Sequence, residues 1–547
     1  MISIEQLDTV LKKHLSNQML GNLLLSKGLI NAEQLSKTLE IHHQTGQRLG
    51  EIVTELGFVT TYQLTQVLNR QKAYRNLGWE APEQTTRPLR KAKIIATLGP
   101  SCSDEHRIRQ CIQAGVNVFR FNFSHGDHAS HQKNINLLRQ IAAEEDQIIA
   151  LLQDIQGPKI RIGEVENGEA GERFELQPEA IIANSQRASV SYPRLLQDIL
   201  AGSTILVDDG RIELLVREVT DTALITEVIN DGVLKPRKGV NFPGSMLGIS
   251  VLTEKDKVDL KFGVEQNFDW VAASFIQTAN DIHEVRQEMI QHGGDIPIIA
   301  KIERQEAVTN LQEILAITDG VMVARGDLGV ELPTEDIPII QKQIICQARL
   351  MGKPVITATQ MLDSMVSSPR PTRAEASDVA NAILDGTDAV MLSNETAAGN
   401  YPIEAVQTMR RIIEKTESAP NHEDTLCVSQ RSLPEAIATA AVQMIKAIDG
   451  RAILVHSQHG DTARLISRYR PNCHIIAPSA LSQACRRMSL IWGGYPVLIS
   501  AQKSPSLAEL VPVACDRDLL AKDDYVVLME TSIRGVSGTR GIFVAVA

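Results

Sequence analysis

The fold class predicted by this sequence is α/β: a closed parallel (β/α)8 TIM-type barrel with an inserted β-barrel lid domain, a C-terminal α/β domain and a small N-terminal helical domain. Three observations predict it. Eight β-rich apolar runs, separated mostly by helix-like intervals, follow Lys93. The interval after the third run is strand-rich instead of helical. Residues 1–75 carry one helical pattern twice.

The totals frame these elements. The chain's 547 residues allow several domains and a large core, and 43% hydrophobic with 22% charged residues is an ordinary globular composition. A formal net charge of −11 argues against a non-specific DNA, RNA or membrane-surface binder, which needs a basic excess. Seven scattered cysteines with no C-x-x-C pair suit reduced thiols. The opening MISIEQLDTVLKKHL lacks the apolar core of a secretory signal, and no apolar run reaches membrane-spanning length, so a cytoplasmic protein is expected.

The repeat begins at Met19 and again at Arg48, with Leu20/Leu49, Gly21/Gly50, Gly28/Gly57 and Leu35/Leu64 in register. Each copy reads as a short helix, a Gly stop and a second helix opened by Asn31 or Thr60. GWEAPEQTTRPLR then reads as a linker. The barrel runs are KIIATLGP, VNVFRFNFSHG, IIALLQDIQGP, FDWVAASFIQ, IPIIAKIE, DGVMVARGD, KPVITATQ and DAVMLSNE, which place the barrel at 91–163 and 242–417. Short alternating stretches with Asp-Gly turns, STILVDDGRIELLVREV and ALITEVINDG, place the lid at 164–241. TESAPNHEDTLCVSQRSLP reads as a second linker. Strands near AILVHS, HIIAP, PVLIS, YVVLME and GIFVAVA define the last domain, 430–547.

The C-terminal strand ends of such a barrel form its reactive face, and here they collect polar residues. Arg120, Asn122 and Ser124 alternate in FRFNFSHG, on one face of a strand. Lys301 and Glu303 do the same in AKIERQE. Gly326 and Asp327 stand in ARGDLG, Thr357 and Thr359 in ITATQ, Ser393 and Glu395 in MLSNET. In LLQDIQGPKIRIG, Asp154, Lys159 and Arg161 flank a Gly-Pro turn. Glu303 and Asp327, at adjacent strand ends, suit Mg²⁺, which fills its shell with substrate oxygens. Lys301, Arg120 and Arg161 supply positive charge for a transferring phosphoryl group or an enolate oxygen. No P-loop motif occurs. One such pair alone would read as exposed strand-end charge; six polar strand ends are not explained by packing.

Taken together, TLGPSC, FRFNFSHG, GPKIRIG, KGVNFPG, AKIERQEAV, VARGDLGVELP, TATQMLDSM, SPRPTRAEASDVANAILDGTDAVMLSNETAAGNYP and GVSGT resemble the pyruvate kinase family from about residue 91 onward. The resemblance implies phosphate transfer from phosphoenolpyruvate to ADP, giving ATP and pyruvate, and a cytoplasmic, allosteric homotetramer. It implies Glu303 and Asp327 as Mg²⁺ ligands, and Lys301 as the stabiliser of phosphoryl group and enolate. Arg120 would hold phosphate oxygens, and amides at Gly326 and Asp327 with the Thr359 hydroxyl would seat the substrate carboxylate. Thr359 and Ser393 become candidates for proton delivery. Asn122, His125, Arg161 and Lys238 resemble nucleotide-site residues. Asn122, Ser124 and Asp154 resemble a K⁺ site, yet Lys159 stands where K⁺-dependent members usually carry Glu. A tethered ammonium replaces a monovalent ion's charge, so K⁺ is expected not to be required.

Two departures bear on regulation and nucleotide contact. Ala398 stands where a lysine is often found. The C-domain loop HSQHGDTAR keeps Ser457, Gly460 and Thr462 but places His459 and Asp461 where effector-binding relatives show Ser and Arg, which weakens a site for a phosphorylated effector.

The tandem pattern in residues 1–75 resembles the N-terminal domain of type II secretion and pilus-assembly ATPases, some of which bind cyclic di-GMP. Arg48, Gly50 and Gln71 carry that resemblance in the second copy; Met19 and His42 depart from it in the first. The other reading is a helical repeat with Leu core and Gly caps. A non-catalytic effector sensor on the same scaffold would predict loss of Lys301, Glu303 or Asp327, and all three are present.

Overall fold

A computed structural model describes residues 20, 21, 24, 29–61, 63, 64, 90–165, 173–419, 432–499, 507–516, 519–521, 523–530 and 541–547. Gln71, the GVSGT motif at 535–539 and most of both predicted linkers lie outside them. The described residues fall into two compact units. One lies within 90–439 and 455–503; the other lies within 1–89, 440–454 and 504–547.

All eight predicted barrel strands form: β1 (Lys93–Thr97), β2 (Val118–Asn122) and β3 (Ala150–Asp154) before the insert, then β10 (Trp270–Ala273), β11 (Ile298–Ile302), β12 (Gly320–Ala324), β13 (Val355–Ala358) and β14 (Ala389–Leu392) after it. They close in the order β1-β14-β13-β12-β11-β10-β3-β2, and every pairing is parallel. Both faces of a parallel barrel strand are covered, which is why these runs are apolar throughout. One set of side chains, including Ile95, Leu152, Ile299, Met322 and Met391, forms a separate buried cluster of strand residues; the alternate set packs with the surrounding helices. Caps set the helix starts locally: Asp104, Thr253 and Thr372 each accept the backbone N–H three residues on.

Between β3 and β10 the chain forms β4 (Arg173–Gln177), β5 (Arg187–Ser189), β6 (Thr204–Val207), β7 (Ile212–Val219), β8 (Leu224–Asn230) and β9 (Val240–Asn241). Here burial alternates along β4, β6 and most of β7, because only one face meets a core. The predicted lid β-barrel is instead an open six-stranded sheet, ordered β5-β4-β8-β7-β6-β9. Arg161 and Ile162 make single bridges to Gly239 and Val190, so the entering chain spans the gap without a full strand pairing.

The five C-terminal runs are strands as well: β15 (Ala452–Val455), β16 (His474–Ser479), β17 (Gly494–Leu498), β18 (Tyr525–Glu530) and β19 (Gly541–Val546). β16 pairs parallel with β17, and β18 pairs antiparallel with β19. The 455–503 segment is joined to the barrel by buried polar contacts. Asp388 accepts from Arg470 Nη2 (2.8 Å), Trp492 N (3.0 Å) and Val355 N (3.0 Å).

In the N-terminal unit, Ala32–Thr45 forms a helix with an Asn31–Gln34 capping box, and Leu49–Glu55 forms a second. Thr60 and Gln63 repeat the same reciprocal bonds 29 residues later (Thr60 N to Gln63 Oε1, 2.9 Å; Gln63 N to Thr60 Oγ1, 3.2 Å). The repeat extends to packing. A Cβ on Gly21 would meet Leu35 Cδ1 at 3.0 Å, and one on Gly50 would meet Leu64 Cδ2 at 3.3 Å. Each glycine is the close-approach point of its copy.

Asp388 generates the first prediction. Asp388→Ala leaves Arg470 buried without its carboxylate and is expected to cost about 3–5 kcal/mol, read from the urea midpoint of the full chain; a loss below about 1 kcal/mol would show the contact to be dispensable.

Candidate active site

The strand ends converge on a buried ion network. Asp154, the last residue of β3, is 2% exposed. Its Oδ2 accepts from Arg120 Nε at 2.6 Å, and its Oδ1 lies 3.3 Å from Lys301 Nζ. Lys301 Nζ also lies 2.8 Å from Glu303 Oε1 and donates to Ser274 Oγ at 2.8 Å. Burial pushes the Lys301 pKa down, but Asp154 and Glu303 more than offset this and hold it above the ordinary lysine value. Asp154 behaves conversely. Burial would raise its carboxyl, and Lys301 with Arg120 brings it below the usual range. Lys301 and Asp154 are therefore both favoured in their charged forms near neutral pH.

Glu303 stands one residue past β11, not within the strand. Its Oε2 accepts the Phe275 amide at 2.9 Å. Phe275 has a φ of +58°, uncommon for a bulky residue, and that turn points its N–H at Glu303. Burial, helped by the like charge of Asp327 and opposed by Lys301, holds the Glu303 carboxyl above its usual value. Asp327 is half-buried after β12, and Lys159 Nζ approaches its Oδ1 to 3.5 Å. Among the described residues no cluster of three or more His, Cys, Asp or Glu is placed to hold a metal by itself. Glu303 and Asp327 are the two carboxylates at these strand ends that would be available to a hard divalent ion, with other oxygens completing its shell.

The next two strand ends form the seat beside Asp327. Thr359, past β13 with φ +65°, accepts the Gly326 N–H at 2.8 Å and donates to Ala358 O at 2.6 Å. Arg325, which sequence reasoning passed over, fixes that turn. It donates to Ala358 O (3.2 Å) and Thr359 O (2.8 Å) and pairs with Asp378 (2.6 Å). Glu395, noted with Ser393 as a strand-end acid, is 2% exposed and accepts Leu362 N (3.1 Å) and Ser393 N (2.7 Å), so it braces two loops.

The remaining residues are more spread. Ser124 lies in the turn after β2, not on the strand face with Arg120 and Asn122, because the strand stops at Asn122, whose Oδ1 accepts Ser124 N at 3.1 Å. His125 is exposed in that same turn. Arg161 Nη1 donates to Arg237 O at 3.0 Å, and Lys238 Nζ lies 2.7 Å from Asp208 Oδ1. Both thus belong to the insert's own contacts. Ser457 Oγ accepts Thr462 N at 3.2 Å in the C-terminal loop. Arg48 is exposed at the start of its helix, far in sequence from the strand ends. Two further participants are Thr97, whose Oγ1 accepts from Arg120 at 3.0 Å, and Ser274, whose Oγ donates to Ile155 O at 2.8 Å. Both sit at barrel strand ends, so the rule that found the others applied to them too.

The barrel-domain model of the pyruvate kinase family matches residues 89–406, and that family's alpha/beta-domain model matches residues 435–543. Pyruvate kinase 2 of Synechocystis is 47% identical over 465 residues, covering 83% of this chain and 79% of the relative. The pyruvate kinase of Clostridium perfringens is 48% identical over 417 residues, covering 74% and 88% respectively. A crystal structure of a pyruvate kinase from Cryptosporidium parvum superposes with a TM-score of 0.78 at 36% identity, over 83% of this chain and 96% of that one. Two matched domain models, extensive relatives and a barrel whose strand ends assemble the cation–carboxylate network lead to one conclusion: the chain belongs to the pyruvate kinase family and transfers the phosphoryl group of phosphoenolpyruvate to ADP, giving ATP and pyruvate.

Proposed function

We propose that the chain performs this transfer as a Mg²⁺-dependent, K⁺-independent enzyme, with Lys301 and Arg120 as the fixed positive charge. The observation that carries the reading is the Asp154-centred network, in which one buried carboxylate meets both cations. Glu303 and Asp327 would hold Mg²⁺, which when bound supplies charge to substrate oxygens. Arg120 holds phosphate oxygens. Lys301 faces the oxygen between phosphorus and the enolate carbon and stabilises the negative charge that develops there. The Thr359 hydroxyl, with amides at Gly326 and Asp327, orients the substrate carboxylate, and Thr359 or Ser393 passes the proton that converts enolate to pyruvate. His125, Arg161 and Lys238 are the candidates for nucleotide contact once the insert closes on the barrel.

Lys159 supports the K⁺-independent reading. Its ammonium reaches Asp327 at 3.5 Å, at the edge of the transfer site. Both Asp154 oxygens already meet Arg120 and Lys301, which leaves that carboxylate less to offer a K⁺ ion. Homotetramer assembly and allosteric control belong to the same proposal, with a phosphorylated effector at Ser457 and Thr462. For the N-terminal repeat, the paired Gly–Leu approaches favour a helical packing module over the secretion-ATPase resemblance. Exposed Arg48 is the residue through which cyclic di-GMP would act.

Two measurements test this reading. Pyruvate formation from phosphoenolpyruvate, ADP and Mg²⁺ in a K⁺-free sodium buffer should equal the rate with added K⁺, and Lys159→Glu should make the rate K⁺-dependent; a wild-type enzyme active only with K⁺ contradicts the role of Lys159. Arg325→Gln should lower kcat/KM for phosphoenolpyruvate about 10²-fold by releasing the Thr359 turn, with KM for ADP unchanged. An equal loss for both substrates would show general unfolding.

A further inference from the structure

Glu331 closes the helix Arg325–Glu331, whose first turn carries Gly326 and Asp327. It is 7% exposed, and its two oxygens are committed to different segments. Oε1 accepts from Asn241 Nδ2 at 3.2 Å, and Asn241 ends β9, the last strand of the insert. Oε2 accepts the Gln305 amide at 3.3 Å, two residues past Glu303. A helix of seven residues is a rod of about 10 Å, so a carboxylate anchored at one end bears on where Asp327 stands at the other.

Arg304 completes the joint. It is 5% exposed, and its Nε lies 3.6 Å from Glu331 Oε1 and 3.2 Å from Glu306 Oε2. Its Nη2 donates to Ser245 O at 3.4 Å, in the chain returning from the insert. Gly244 turns that chain with a φ of +71°, and a Cβ there would face Gln305 Oε1 at 3.5 Å. Both connections of the insert meet at this place: Lys159 and Ile160 on the way out, and Asn241 and Phe242 on the way back, line one cavity of about 20 Å³ with Arg304 and Glu331. A buried ion pair this loose adds little over a well-packed apolar pair of the same size. Stability alone therefore does not account for Glu331. Its partners do, because one carboxylate joins the insert, the segment after Glu303 and the helix bearing Asp327.

We infer that Glu331, braced by Arg304, is a positioning residue that sets the insert in register with Glu303 and Asp327, so that closure over the nucleotide is aligned with the transfer site. The inference rests on the roles proposed above for Glu303, Asp327 and the insert, and adds a residue that none of them includes. Lys159 ties the outgoing connection to the barrel mouth through Asp327 at 3.5 Å, and Glu331 ties the returning one. Without the Glu331 contact the insert spreads over more orientations. Only a fraction of these contact the nucleotide, and apparent affinity falls by that fraction. The phosphoenolpyruvate seat is less affected, because Arg325 holds the Thr359 turn through separate contacts.

Steady-state kinetics and hydrogen exchange of the full chain test the inference. Asn241→Ala, which frees only the insert's side of the contact, should raise KM for ADP about 10-fold and leave KM for phosphoenolpyruvate within about twofold. Glu331→Ala should do the same and also lower kcat about 10- to 100-fold. The double variant should show no further loss for ADP than Glu331→Ala alone, since both changes remove one contact. Addition of ADP with Mg²⁺ should slow amide exchange in β6 to β8 of the wild type, and slow it much less in both variants. Asn241→Ala leaves Arg304 with its carboxylates, so it serves if Glu331→Ala does not fold. Wild-type kinetics and exchange in both variants overturn the inference alone. Equal losses for both substrates with a lowered urea midpoint overturn it as well, by making the joint merely structural. A wild-type insert that shows no response to ADP overturns the reading of the insert, and the inference with it.

Discussion

Two cations, Lys301 and Arg120, stand side by side at the mouth of the barrel because one buried carboxylate, Asp154, meets both of them. Unit charges of the same sign a few ångströms apart in a half-buried setting repel by about 4 kcal/mol. Buried ammonium groups ordinarily respond by losing their proton. Here Asp154 and Glu303 reverse that tendency and hold Lys301 above the usual lysine range. On the proposed reading, the charge that phosphoryl transfer calls for is thereby in place before substrate arrives.

The rest of the structure keeps that network in register. Parallel pairing of β2 with β3 sets Asn122 beside Asp154, and β10 places Ser274 under Lys301. Positive-φ turns at Phe275 and Thr359 direct, respectively, an amide at Glu303 and a hydroxyl at the Gly326 amide. Such conformations persist where surrounding contacts over-determine them, as Arg325 does through two carbonyls and Asp378. Lys159 arrives from the insert side of β3 and meets Asp327, so the chain entering the lid also contributes charge to the barrel mouth.

Much of this was legible in the sequence, for definite reasons. Barrel strands buried on both faces are continuous apolar runs, and an abrupt Lys, Asp or Arg at the end of one is conspicuous; Arg120, Asp154, Lys301 and Asp327 were all visible this way. The lid strands β6 to β8 showed as alternation with Asp-Gly turns, whereas β4, β5 and β9 are too short or too polar to stand out. Arg325 was missed because its role is a contact between residues distant in the chain, whereas Thr97 and Ser274 stand at strand ends and were open to the same reading as the others. The sequence pattern also could not show that the lid sheet stays open, since closure depends on edge pairing. The Gly21–Leu35 and Gly50–Leu64 approaches were legible only as a repeat, and packing gave them their meaning.

The most direct test of the central claim is the steady-state rate of Asp154→Asn, a change that keeps shape and removes one charge. If Asp154 is what holds Lys301 and Arg120 in their working state, kcat for pyruvate formation falls by about 10²- to 10³-fold while the protein still folds by circular dichroism. A folded Asp154→Asn enzyme with wild-type kcat would contradict the account, because the two cations would then need no shared carboxylate to do their work.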